Sequence, residues 1–171
     1  MNRARIAGVF YLLTFLTGGA ALFGGRMGFA AIIIASACYI AVTVLFYGLF
    51  KPVNRSLSML AAIVSLVGCT AGALKLNPLP IFGVYCLLIG YLIFRSDFLP
   101  RFLGVLMAIA GLGWLTFLSP PLARYLSPYN FAPGLIGEGA LTVWLLLFGV
   151  DVPKWEARAH APIGAASRMH A

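Results

Sequence analysis

Six long apolar runs, separated by short clusters of Pro, Gly, Asn and charged residues, divide the chain from end to end. Each is near the length that crosses hydrocarbon as a helix, about 20 residues with a range of roughly 17–25. The runs predict helices over about 6–23, 28–50, 57–74, 79–94, 102–118 and 134–150, the fourth being the shortest. The breaks have local causes. Pro52 cannot continue a helix, and Asn54 or Ser56 can cap the next one; Asn77-Pro78-Leu79-Pro80 and the four prolines between Ser119 and Pro133 act in the same way. That last connection, with Tyr125, Tyr129 and Phe131, reads as a lid or an interfacial cap. The Ala-, Arg- and His-containing tail, 151–171, is expected to be disordered.

Composition makes the membrane reading specific. Hydrophobic residues are 62 % of 171 and charged residues only 9 %, which leaves too little polar surface to cover a soluble domain. The first run exceeds a signal-peptide core of roughly 7–15 residues and is followed by more membrane, so it is taken as a helix. The net charge of +8 sits between the apolar runs, in no patch with interleaved aromatics, and so no nucleic-acid partner is expected. With six spans, Arg3, Arg5, Lys51, Arg55, Arg95, Arg101, Lys154, Arg158 and Arg168 fall on one side, against Arg26, Lys75 and Arg124 on the other. The positive-inside rule then puts both termini in the cytoplasm. The expected fold class is all-α, an integral membrane six-helix bundle.

One residue breaks the apolar pattern. Glu138 lies within the last run, where an ionisable side chain costs roughly 2.5–3.5 kcal/mol on insertion scales and faces the protein interior when kept. Helical spacing puts Gly134, Thr142, Leu145 and Gly149 on its face, and Ile136, Val143 and Leu147 opposite. A partner is expected: Lys75 or Arg124, with Thr142 beside the carboxyl. Ala61, Ser65, Gly68 and Gly72 give the third run a narrow small-residue face, which predicts close approach and a place at the bundle centre. Trp114 reads as an interface anchor. Arg95, Asp97 and Arg101 form the most charged connection, a candidate contact for a headgroup or a cytosolic partner, in which Asp97 can pair with either arginine or cap the next helix.

Catalysis and cofactors find little support. His160 and His170 lie in the tail, and Cys38, Cys69 and Cys86 each stand alone in an apolar run, so no metal, haem or other cofactor is expected. Asp97 and Asp151 lie at helix ends, too far from Glu138 for a shared-proton pair.

Arg5-Ile-Ala-Gly-Val-Phe-Tyr-Leu-Leu13, Pro52-Val-Asn-Arg55, Gly90-Tyr-Leu-Ile-Phe-Arg-Ser96 with Leu99-Pro-Arg-Phe-Leu-Gly104, and Gly137-Glu138 leading to Trp144-Leu-Leu-Leu-Phe-Gly149 carry a resemblance. In that order they resemble the bacterial multi-pass membrane family known as domain of unknown function 4386. The resemblance implies a small inner-membrane protein and assigns no activity. The expectation is therefore a non-enzymatic protein acting through membrane lipids, another membrane protein or a second copy of itself. The alternative is a small transporter or proton-linked permease that uses Glu138.

Overall fold

The computed structural model describes residues 2–20, 25–74 and 76–160. Among them are eight α-helices and two short 3-10 turns, with no strand: α1 (Asn2–Ala20), α2 (Gly25–Phe50), α3 (Arg55–Ala73), α4 (Leu79–Arg95), α5 (Arg101–Leu115), α6 (Pro120–Leu126), α7 (Ala132–Leu147) and α8 (Val152–His160). The all-helical class expected from the apolar runs is observed. Four segments are long and apolar enough to cross a membrane: Met27–Phe50, Arg55–Ala73, Arg101–Leu118 and Tyr129–Leu147. Leu79–Arg95 is a shorter apolar helix.

The six long helices close a ring. α1 packs on α2, α2 on α3, α3 on α4, α4 on α5, α5 on α7, and α7 returns to α1. Tyr11, Phe46, Tyr85, Ile89, Met107 and Leu141 fill the middle. Residues such as Phe29, Ile33, Ile63, Val67, Leu112 and Ile136 stay exposed on the outside, as a lipid-facing surface requires.

Glycine sets the tightest contact. A Cβ on Gly83 would lie 2.9 Å from the Gly111 carbonyl oxygen, and one on Gly90 would lie 2.8 Å from that of Gly104. The two pairs stand seven residues apart on antiparallel helices, so α4 and α5 touch backbone to backbone at two levels. On the far side of α5, Gly137 of α7 meets the Leu106 carbonyl and Ala110.

Three expectations are corrected. α3 is a ring member, not the centre: Ala61, Ser65 and Gly68 are buried, with Ser65 Oγ 2.6 Å from Thr43 Oγ1 of α2 and Gly68 under Phe82 of α4. Its opposite face, including Met59, Ile63 and Val67, is exposed, because one narrow small-residue stripe can seat only the neighbours that touch it. The last long helix starts at Ala132 rather than 134 and ends at Leu147 rather than 150. Pro133 fits its first turn, and Gly149 closes its end at φ +71° with its N–H on the Trp144 carbonyl, a left-handed conformation that favours glycine. The 119–133 connection contains α6 and is tied down by Asn130, which donates to the Ala123 carbonyl at 3.3 Å, and by Phe131 against Phe117.

The third concerns the tail, which is helical from Val152 to His160. The Asp151 N–H donates to the Phe98 carbonyl at 3.1 Å, and Asp151 Oδ1 accepts from the Lys154 N–H at 3.3 Å, capping α8. Trp155 Nε1 donates to the Leu49 carbonyl at 2.9 Å. Residues 161–171, also expected to be disordered, lie outside the described residues, as do 21–24 at the end of the first predicted helix.

Candidate functional site

Helical geometry places Glu138 as its spacing predicted. Gly134, Gly137, Glu138, Leu141, Thr142 and Leu145 form the buried face of α7, while Ile136, Val143 and Leu147 are exposed. Glu138 follows Ala132 by six residues, about 9 Å along the helix at 1.5 Å per residue. Only 6 % of it is accessible, so its carboxyl must find partners inside the protein.

Those partners are neutral donors from three other helices. Trp114 Nε1 of α5 donates to Oε1 at 2.6 Å, and Tyr11 Oη of α1 donates to Oε2 at 2.7 Å. Cys86 Sγ of α4 donates to Oε1 at 3.6 Å. Four of the six ring helices therefore meet at one carboxyl group. The arrangement is chemically simple: an indole can only donate, so it fixes one oxygen as an acceptor, whereas a phenol can turn and serve the other oxygen as donor or acceptor.

Above this point the interior is aromatic and partly unsatisfied. Tyr11 meets Tyr39 of α2 edge-on at 5.8 Å between ring centroids, and Tyr39 lies 5.8 Å from Tyr85 of α4. The Tyr39 and Tyr85 hydroxyls are buried with no hydrogen-bond partner among the described residues. Glu138, Tyr11, Trp114 and Cys86 line none of three surface cavities formed among the described residues.

Of the cationic partners expected for Glu138, Arg124 is not one it has. Arg124 is exposed on α6, in no ion pair among the described residues. Lys75 lies outside the described residues. Thr142 is buried beside Glu138, yet its hydroxyl donates at 2.8 Å to the Glu138 backbone carbonyl one turn back and leaves the carboxyl alone. Trp114, expected at the membrane surface, is 8 % exposed and is the shortest donor to the acid.

At the opposite end, Arg95, Asp97 and Arg101 separate. Asp97 pairs with Arg158 of α8, and neither of the expected arginines is its partner. Nor does it cap the next helix, which begins after Pro100 with no side-chain cap. Arg101 lies over the Phe94 ring at 5.7 Å, and Arg95 is exposed. Phe98 and Leu99 turn inward beneath them at 3 % and 4 % exposure, so this loop is anchored to the bundle and holds α8.

Residues 76–149 match the family model described as "Domain of unknown function (DUF4386)". This stretch supplies Cys86, Trp114 and Glu138, while Tyr11 lies before it. An uncharacterized protein of Archaeoglobus fulgidus is 29 % identical over 127 residues, which cover 64 % of this chain and 76 % of that protein. No solved structure matches the chain.

Proposed function

We propose that this chain, with its domain of unknown function 4386, is a six-span inner-membrane protein with both termini cytoplasmic, non-enzymatic, acting through its lipid-facing surface. The observation that carries this reading is the attachment of Glu138 to neutral donors on α1, α4 and α5. An acid spent on joining helices is a structural pin. It stands in no described cavity, as expected of a pin rather than a transport site. The six-span orientation is supported by nine cationic residues on the terminal side against three on the other. Partners of this protein are then membrane lipids or a neighbouring membrane protein.

A second reading has its own support. The buried, unpartnered hydroxyls of Tyr39 and Tyr85 leave polar capacity in the same core, as an occluded permease would. The two readings part on Glu138→Gln in liposomes. The structural reading expects reduced or unchanged stability and no pH-driven flux in either protein. A flux present in the wild type and lost in a folded variant would support the permease instead.

A further inference from the structure

A cavity of about 600 Å³ opens where the start of α1, the end of α2 and α8 converge. Its floor is apolar, from Ala4, Ala7 and Leu49, and its rim carries one cation, Arg3, and one anion, Glu156. Both charged residues are exposed, and neither takes part in an ion pair among the described residues. Trp155 forms a fixed wall because its indole N–H is held by the Leu49 carbonyl at 2.9 Å.

Gly48 adds no side chain to this space. It lies inside α2, where glycine costs about 1 kcal/mol relative to alanine. The glycines of the α4–α5 seam have a packing reason; Gly48 has none, since a Cβ built there meets nothing within 4 Å. It lines the cavity. From Gly48 the exposed residues Val44 and Ile40 continue along the same helical stripe, at four-residue spacing, toward the lipid-facing middle of the bundle.

We infer that this cavity is a binding site for one zwitterionic phospholipid with a phosphoethanolamine headgroup. The phosphate faces the Arg3 guanidinium, which suits phosphate oxygens by its fork of donors. The primary ammonium faces the Glu156 carboxylate and donates to it. One acyl chain passes Gly48 and lies along Val44 and Ile40, and Trp155 sits at headgroup level, where indoles are at home. Separated opposite charges favour this headgroup over phosphatidylglycerol, which lacks the ammonium, and over phosphatidylcholine, whose quaternary nitrogen has no N–H to donate. The apolar floor and exposed stripe favour the intact lipid over a soluble phosphoethanolamine. The inference rests on the proposed lipid-associated reading and adds the lipid class to it.

The test is native mass spectrometry of the full chain released from micelles doped with defined dioleoyl phospholipids. The wild type should retain one phosphatidylethanolamine about tenfold better than phosphatidylcholine or phosphatidylglycerol, a factor equal to roughly 1.4 kcal/mol. Gly48→Leu, whose Cβ meets nothing within 4 Å and whose branch extends into the cavity, should lose that lipid while remaining folded. Glu156→Gln should abolish the preference for ethanolamine over choline, and Arg3→Gln should weaken all three lipids. Equal retention of ethanolamine and choline lipids by the wild type would overturn the inference. So would undiminished retention by folded Gly48→Leu, or displacement of the lipid by equimolar glycerophosphoethanolamine. Should Gly48→Leu not fold, the two charge variants decide. Glu138→Gln should keep the lipid, so loss of flux in that variant would defeat the structural reading while leaving this site standing, and loss of lipid selectivity would do the reverse.

Discussion

Trp114 and Glu138 are joined across α5 and α7 by a 2.6 Å hydrogen bond at a point where both side chains are buried. The same indole fills the space over Gly134, four residues before Glu138 on the same face of α7, so any side chain there would strike the ring. Donor and acceptor are thus held in register by packing. Tyr11→Phe should remove one such bond, with a loss of about 0.6 and at most about 1.7 kcal/mol, the span found for interhelical hydrogen bonds in membranes. Glu138→Gln keeps an oxygen for Trp114 and offers an N–H to the Tyr11 oxygen, and should cost less than about 1 kcal/mol. Glu138→Leu leaves buried donors without an acceptor and should cost more, roughly 2–4 kcal/mol. Denaturation in mixed micelles orders the three variants.

The glycine seam predicts a contrast. Gly90→Ala puts a methyl group 2.8 Å from the Gly104 carbonyl and 3.1 Å from the Ala108 nitrogen, both backbone atoms that cannot swing aside. Overpacking of this kind costs about 1–3 kcal/mol. Gly139→Ala on α7 meets nothing within 4 Å and should be neutral or gain up to about 1 kcal/mol in helix propensity. Midpoints of thermal unfolding in one detergent compare them directly.

A pH effect is expected at α8. The Lys154 side chain hydrogen-bonds to Asp151, its backbone N–H adds a second bond, and together they hold the Asp151 carboxyl below its usual range. A lowered folded-state pKa means that the contribution is fully present above the unfolded value of about 3.9 and is lost as pH falls through the lower folded value. Protection of the Val152–His160 amides against hydrogen exchange, taken relative to the intrinsic rate at each pH, should therefore be flat from pH 7 to about 5 and fall only below about 4. Asp151→Asn should abolish that step.

The proposed topology is open to a direct test. Reporter fusions after Arg55 and Asp97 should give cytoplasmic signals, and fusions after Asn77 and Pro128 should give signals from the other side. A signal from the outer side at both Asn77 and Asp97 would mean that Leu79–Arg95, a shorter apolar helix, does not cross.

Much of this was legible in the residues. The length of the apolar runs marked the six long helices, and helical spacing marked the buried face of α7, because a bilayer-facing helix must show apolar side chains on one side and can hide an acid only on the other. The partners of Glu138 were not legible. Charge balance pointed to Lys75 or Arg124, whereas dipoles from Tyr11 and Trp114 satisfy the carboxyl, and an indole in an apolar run looks the same whether it anchors at the surface or donates inside. The pairing of Gly104 and Gly111 with Gly90 and Gly83 was not legible either, because it depends on the antiparallel register of α4 and α5. α8 escaped because nine residues of low hydropathy form no stable helix alone; contacts with Phe98, Leu49 and Asp97 hold it.

The claim beneath all of this is that the interior acid holds helices together through neutral donors. A double-mutant cycle of Trp114→Phe and Glu138→Leu, read as unfolding free energy in one micelle system, tests it most directly. Coupling of about 1 kcal/mol, outside the roughly 0.3–0.5 kcal/mol expected of independent sites, is the predicted result. Strict additivity, with each variant folded, would contradict it.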